Sequence, residues 1–97
     1  MNPYQVIVRP VDTEKTRYLA SELGQYTFEV DHRANKIEIK RALETIYEVD
    51  VVSVNTMIMP AKVGRRRGRR LVLRRPWWKK AVVKLAEGQR LDVFEGV

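Results

Sequence analysis

The residues best suited to binding chemistry lie in one stretch, GRRRGRRLVLRRPWWKKAVVKL, which runs from Gly64 to Leu85. It holds seven arginines and two adjacent tryptophans. An arginine carries a permanently charged planar fork that binds two phosphate oxygens at once. A tryptophan offers a flat ring on which a nucleic-acid base or sugar packs. The stretch therefore favours nucleic-acid binding over its plain alternative, a solvated basic tail.

The positive charge of the chain is concentrated in this stretch. The chain has 97 residues and a net charge of +7. Between positions 62 and 80 there are ten basic residues and no acidic one; the ten are Lys62, Arg65, Arg66, Arg67, Arg69, Arg70, Arg74, Arg75, Lys79 and Lys80. The other nine basic residues are outnumbered by 12 acidic ones, so the rest of the chain is net negative. A concentrated charge on a slightly acidic body indicates a polyanionic partner.

Other kinds of site find little support. The chain has no cysteine, which excludes disulfides and thiolate metal sites. His32 is the only histidine and is expected to be a solvated turn residue, so no metal or cofactor is predicted. Asp12 and Glu14 could form a catalytic carboxylate pair, but a helix start explains both. No apolar run reaches the ~18 residues needed to span a membrane, and no secretory signal is seen at the N-terminus. A cytoplasmic protein is therefore expected.

Two helices have recognisable ends. The first is capped by Thr13 and stopped by Gly24, since glycine readily adopts the left-handed conformation at a helix end. The second begins after Asn35, which can form a capping box with Glu38, and ends near Glu48. The predicted apolar faces are Tyr18, Leu19 and Leu23 on the first helix, and Ile39, Ala42, Leu43, Ile46 and Tyr47 on the second.

Strands are predicted at residues 4–9, 26–31, 49–59 and 81–86, and residues 91–94 fit a short last strand. The third strand is apolar on both faces, which favours a central position in the sheet, with Met57 and Met59 filling the core. The order β-α-β-α-β-β predicts one α+β domain over residues 1–97. A basic loop at about residues 61–77 joins the last two main strands.

The basic loop is interpreted as a hairpin extension. We expect it to be disordered in the isolated protein, because ten like charges repel one another. Its apolar tip, Leu71-Val72-Leu73, either packs on the domain or inserts into the partner. Trp77 and Trp78 point to opposite faces of the following strand, with Trp77 on the core side. Trp78 would share the outer face with Lys80 and Lys84.

Five motifs in order resemble a known family. They are Pro10-Val-Asp-Thr-Glu-Lys15, Tyr26-Thr-Phe-Glu-Val30, Ala34-Asn-Lys36 with Glu38-Ile-Lys40 and Ala42, Val54-Asn-Thr56, and Trp78-Lys-Lys-Ala81. Together they resemble the bacterial form of the L-twenty-three (uL-twenty-three) family of large-subunit ribosomal proteins, over nearly the whole chain. Two features depart from the family: Leu71-Val72-Leu73 stands where a second glycine is common, and Trp77 is an additional tryptophan.

The resemblance implies a structural protein and not an enzyme. It implies a four-stranded antiparallel sheet, binding to large-subunit rRNA early in assembly, and a place at the polypeptide exit tunnel on cytoplasmic ribosomes. The implied protein partners are a neighbour of the L-twenty-nine family, trigger factor and the signal recognition particle. Glu14 matches the family residue associated with chaperone docking.

The candidate RNA-binding residues combine the basic segment with matching positions on the domain. They are Lys15, Asn35, Lys36, Lys40, Asn55, Lys62, Arg65, Arg66, Arg67, Arg69, Arg70, Arg74, Arg75, Trp78, Lys79 and Lys80. Two alternatives stay open from the residues alone. One is a small nucleic-acid-processing enzyme that uses Asp12 and Glu14, and the other is a regulatory RNA- or DNA-binding module outside the ribosome.

Overall fold

The computed structural model of the protein describes residues 2–66 and 70–91, and for residues 62–66 and 70–75 it describes the backbone. The elements in chain order are α1 (Pro3–Val6), β1 (Ile7–Pro10), α2 (Glu14–Leu23), β2 (Gln25–Val30), α3 (Lys36–Tyr47), β3 (Val51–Met59), β4 (Lys62–Arg66), β5 (Arg70–Arg75) and β6 (Trp78–Leu85). A four-stranded antiparallel sheet has the order β1-β2-β6-β3, and β4 pairs with β5. The predicted α+β fold is confirmed.

The chain begins with a helical turn, where the sequence predicted a strand from residue 4. The side chain of Asn2 accepts a hydrogen bond from the backbone N–H of Tyr4 at 2.9 Å, and Pro3 occupies the first turn. Proline fits this position because its φ is already helical and its missing N–H would have no helical partner. Strand β1 therefore starts later, at Ile7, and Val6 is buried in the core.

Helix α2 has the predicted ends but a different buried face. Thr13 and Thr16 close a reciprocal capping box, and Gly24 ends the helix at φ +64°. Tyr18 and Leu23, assigned to the apolar face, are mostly exposed. Thr16 is buried instead, and its hydroxyl donates to the carbonyl of Val11 at 2.7 Å. The helix is thus held close to the sheet by a hydrogen bond that the apolar pattern did not indicate.

Helix α3 agrees with the prediction in its ends and in its face. The side chain of Asn35 accepts from the N–H of Glu38 at 2.8 Å, and the Glu38 carboxylate accepts from the N–H of Asn35. The cap at the other end is Glu48, which has a positive φ of 54°. The buried residues of the helix are Ile39, Ala42 and Leu43. They pack on one face of the sheet.

The core lies between α3 and the two middle strands of the sheet, β2 and β6. Phe28 of β2 is opposite Ala81 of β6, and both are fully buried. The Phe28 ring also lies 6.2 Å from that of Tyr47 on α3, centroid to centroid. Past β6, the N–H of Leu91 donates to the hydroxyl of Tyr26. Of the short last strand fitted to residues 91–94, only Leu91 is among the described residues, and it is not in a strand.

Strand β3 lies at the edge of the sheet, so its predicted central position is wrong. The last strand, β6, is inserted between β2 and β3. One edge of β3 is therefore unpaired by the described strands, and Val52, Met57 and Ile58 are largely exposed. Met57 does not fill the core. Apolar residues on both faces of a strand favour burial, but they do not determine which strand becomes its neighbour.

The basic segment forms a second, two-stranded sheet. Its backbone pairs β4 with β5 in antiparallel register, with Val63 opposite Leu73 and Arg66 opposite Arg70. The predicted loop is therefore a β-ribbon over its described residues, in agreement with its interpretation as a hairpin extension. The stretch Leu71-Val72-Leu73 lies within β5.

The expected disorder of the isolated segment stays a prediction, and amide hydrogen exchange measures it. A single two-stranded ribbon is marginally stable in water, and like charges weaken it further. We therefore expect amides of Val63 and Leu71–Leu73 to exchange much faster than those of Ala81 and Val83 in β6. Equal protection of the two sets would show that the ribbon is stable without a partner.

Candidate nucleic-acid interface

The side of the sheet away from α3, called the outer face below, carries polar, basic and aromatic side chains. Alternation along β6 turns Ala81, Val83 and Leu85 to the core, where all three are buried. The outer face consists of Gln25, Thr27 and Glu29 of β2, Trp78, Lys80, Val82 and Lys84 of β6, and Ser53, Asn55, Met57 and Met59 of β3. The predicted placement of Trp78 with Lys80 and Lys84 is confirmed.

A groove of about 260 Å³ lies between α2 and the outer face. Its wall on α2 includes Lys15 and Leu19, and its floor on the sheet includes Thr27, Trp78, Lys80 and Val82. We call it the α2 groove. It brings together three of the predicted RNA-binding residues, Lys15, Trp78 and Lys80, from two elements that are distant in sequence. Asn55 lies on the same face, directly opposite Val82.

The charge of the α2 groove is positive. No acidic side chain is among its lining residues. Within the described part of the chain, the ammonium groups of Lys15 and Lys80 make no ion pair or hydrogen bond. Glu29, the cross-strand neighbour of Lys80, accepts a hydrogen bond from Arg9 at 3.0 Å. The two lysines are therefore available to an anion.

A second group of predicted residues lies on the other side of the sheet. Asn35, Lys36 and Lys40 belong to the start of α3, where both lysines are exposed and the Asn35 side chain caps the helix. Lys79 joins this group because its ammonium donates to the carbonyl of Ala34 at 2.5 Å. That bond ties β6 to the turn before α3. An ammonium has three N–H donors, so the bond to Ala34 leaves Lys79 two donors for a phosphate. RNA binding by Lys79 stays a prediction.

Trp77 is not packed in the core. Half of its surface is exposed, and its ring makes an edge-to-face contact with His32, 5.5 Å between centroids. His32 is itself largely exposed, as expected of a turn residue. The pKa of the adjacent Asp31 carboxyl is lowered to about 2, chiefly because it accepts hydrogen bonds from the side chain and backbone of Arg33. These hydrogen bonds stabilise the turn that contains His32, the residue that Trp77 contacts.

The side chains of the seven predicted arginines and of Lys62 are not among those that the structure describes. The backbone of Lys62, Arg65, Arg66, Arg70, Arg74 and Arg75 lies in β4 and β5. Arg67 and Arg69 lie outside the described residues. Phosphate binding by these eight residues stays a prediction, supported by their charge and by the ribbon that carries them.

The carboxylates at the start of α2 are not arranged as a catalytic pair. Asp12 accepts two hydrogen bonds from the guanidinium of Arg17, at 2.5 and 2.9 Å, and these lower the pKa of its carboxyl. Glu14 is exposed in the first turn of the helix. Among the described residues, no group of three or more acidic, histidine or cysteine side chains could hold a metal ion. Within the same residues, no helix is long and apolar enough to cross a membrane.

The sequence did not identify the uncharged residues that line the α2 groove beside Trp78. Leu19 was assigned to a core-facing stripe, and neither Thr27 nor Val82 was noted as part of a site. The pairing of Thr27 with Val82 across β2 and β6 creates the floor of the groove. That pairing joins positions 55 residues apart, and no local pattern indicates it.

Comparison with known proteins places the chain in a family. A family model described as Ribosomal protein L23 matches residues 5–93. The protein named Large ribosomal subunit protein uL23 from Desulfatibacillum aliphaticivorans is 52% identical over 97 residues, which is 100% of each chain. The protein of the same name from Roseiflexus castenholzii is 51% identical over 96 residues, 99% of each chain. The chain belongs to the ribosomal protein L23 family.

Proposed function

We propose that this protein binds large-subunit rRNA early in assembly, lies at the polypeptide exit tunnel, and helps to form the docking platform for trigger factor and the signal recognition particle. Its family makes it a structural protein of the large ribosomal subunit, bound to the ribosome in the cytoplasm, and not an enzyme. The observation that carries the RNA-binding part is the meeting of Lys15, Trp78 and Lys80 in one positive groove.

Charge and shape support rRNA as the partner. Ten basic residues occupy positions 62–80, and the described backbone around them forms a ribbon joined to both β3 and β6. A narrow ribbon with arginines can enter between RNA helices and neutralise phosphates that would otherwise repel one another. Lys80 on the outer face extends this positive surface onto the domain, and Asn55 adds a neutral hydrogen-bonding amide on the same face. Lys36 and Lys40 extend the positive surface from the other side.

The acidic part of the molecule is proposed to face protein partners. Glu14 is exposed at the start of α2, beside the ion pair between Asp12 and Arg17. A carboxylate in the first turn of a helix is stabilised by the helix dipole. The proposed partners are trigger factor and the signal recognition particle, with a protein of the L-twenty-nine family as neighbour within the subunit.

Co-sedimentation with large ribosomal subunits tests the proposed function. At moderate salt, we expect the purified protein to pellet with subunits that have been depleted of their own copy. An equal excess of an unrelated basic protein of similar size serves as the control, because it reports non-specific charge attraction. Recovery of the protein in the supernatant, alongside the control, would contradict a ribosomal role.

Glu14→Gln separates chaperone docking from RNA binding. We expect ribosomes that carry this variant to recruit trigger factor about 10- to 150-fold more weakly, because one charged hydrogen bond contributes about 1.5–3 kcal/mol. Their rRNA affinity should not change. Glu22→Gln, at an exposed glutamate of the same helix, is the matched control and should leave recruitment intact. Equal recruitment by the Glu14 variant and the control would contradict the assignment.

A further inference from the structure

We propose that the α2 groove holds one unpaired nucleotide of RNA, with its base against the ring of Trp78 and its phosphate between the ammonium groups of Lys15 and Lys80. This inference rests on the proposed RNA-binding function. It adds the form of RNA that is recognised at this place, a single unstacked nucleotide instead of a continuous duplex.

The size of the groove suits one nucleotide. Its volume of about 260 Å³ lies just below the range of about 300–1,000 Å³ typical of pockets for drug-sized ligands. A double helix is too wide to enter it, and duplex RNA is bound through its backbone and shallow groove. A base that leaves its stack instead exposes two flat faces. The groove therefore fits a bulged or loop nucleotide.

The lining divides into an apolar part and a charged part. Leu19 and Val82 lie beside Trp78 and provide the apolar surroundings that an unstacked base requires. Trp78 is partly exposed, so its ring contributes to the groove surface. Stacking of this kind tolerates any base, since every base has a flat π-face. The site should therefore select an unpaired nucleotide without strong preference for its sequence.

The charged part fits a phosphate. Lys15 is contributed by the first turn of α2 and Lys80 by the middle of β6, so they approach the groove from two sides. The hydroxyls of Thr13 and Thr16, near the same end of the helix, are already engaged in the capping box and with Val11. Lys15 and Lys80 are the charged residues of the lining. Their ammonium groups have no described partner, and they favour an anion.

The experiment compares two RNAs, a perfect duplex and the same duplex with one bulged nucleotide. The protein carries Trp77→Phe, so that Trp78 is its single tryptophan and its fluorescence reports the groove. We expect the bulged RNA to bind about 5- to 150-fold more tightly, the range for one base stacked on an aromatic side chain. We also expect it to quench Trp78, and the duplex to quench it much less.

Variants assign the preference to the groove. Lys15→Gln and Lys80→Gln should each reduce the preference for the bulged RNA, and Trp78→Ala, followed with labelled RNA, should abolish it. Lys84→Gln is the matched control, because Lys84 lies on the same face of the same strand but does not line the groove. Circular dichroism of each variant confirms that it is folded.

The outcomes separate this inference from the proposed function. Equal affinity for the two RNAs overturns the groove proposal, while salt-dependent binding of both preserves the proposed function. Failure to bind either RNA contradicts both. If free adenosine monophosphate bound as tightly as the bulged duplex, the groove would be a mononucleotide site, and the proposal would be wrong. A loss of preference in Lys84→Gln equal to that in Lys80→Gln would also overturn it.

Discussion

Affinity of this protein for a large-subunit rRNA fragment will fall about 10³–10⁵-fold when salt is raised from about 50 to 200 mM, if it neutralises about six to ten phosphates. The physical reason is the release of counterions that RNA must otherwise hold. Ten basic residues between positions 62 and 80 supply enough charge for contacts of this number. The measurement is a titration of labelled RNA at five or more salt concentrations, with the slope of log affinity against log salt as the result.

Variants in the basic segment test where the salt dependence arises. Each phosphate contact removed lowers the slope by about one, so Arg74→Gln with Arg75→Gln should lower it by about two. Arg17→Gln is the matched control. Arg17 lies on α2 and is paired with Asp12 by two hydrogen bonds, so its loss should leave the slope unchanged. A flat salt response of the parent protein would contradict phosphate neutralisation as the source of its affinity.

The ends of the helices were predictable because their signals are local. Thr13 and Asn35 form capping boxes with residues three positions further on, and Gly24 ends α2 in the left-handed conformation. Each of these interactions is completed within one helical turn. The apolar face of α3 was predictable for the same reason, because its buried residues recur at the helical repeat.

The position of β3 could not be predicted, because strand order depends on long-range pairing. Its apolar run, VVSVNTMIM, is compatible with a central or an edge strand. Because β6 is inserted between β2 and β3, β3 becomes an edge strand, and this position determines which of its residues are exposed. The partner of Trp77 was missed for a similar reason, because His32 is 45 positions away in the chain.

The chemistry of the candidate site was more accessible than its geometry. The concentration of ten basic residues at positions 62–80 indicated a polyanionic partner, since the charge of a segment does not depend on how the chain is folded. The grouping of Lys15 with Trp78 required the packing of α2 against the outer face. For Lys79 the charge was recognised but the structural role was not, because its ammonium also holds β6 to the turn before α3.

Truncation of Phe28 is expected to be among the most destabilising single changes in the domain. Phe28→Ala should lower the free energy of unfolding by about 3–5 kcal/mol, the usual loss for a buried phenylalanine. Phe28 is fully buried in the middle of the sheet, opposite Ala81 and against the ring of Tyr47. Small domains are stable by only about 5–15 kcal/mol in total. The measurement is urea unfolding followed by circular dichroism.

Two further variants test whether the effect of Phe28→Ala comes from the loss of packing in the core. Tyr18→Ala removes an aromatic ring of similar size that is largely exposed on α2, and it should change the free energy of unfolding by no more than about 0.5 kcal/mol. Phe28→Leu should have an intermediate effect, since leucine fills much of the cavity. If Phe28→Ala and Tyr18→Ala were equally mild, the sheet would not depend on the core between β2, β6 and α3.

The Phe28 variant also distinguishes loss of fold from loss of contact. Phe28 faces α3 and has no direct access to the outer face, so its truncation should weaken RNA binding only through the unfolded fraction. RNA at a hundred times its Kd stabilises the folded state by about 2.7 kcal/mol, so excess RNA should restore much of the stability lost by Phe28→Ala. Trp78→Ala should behave in the opposite way, because it weakens RNA binding and thereby reduces the stabilisation that RNA can provide. A Phe28 variant that stayed folded in urea yet failed to bind RNA would contradict this separation of the two faces.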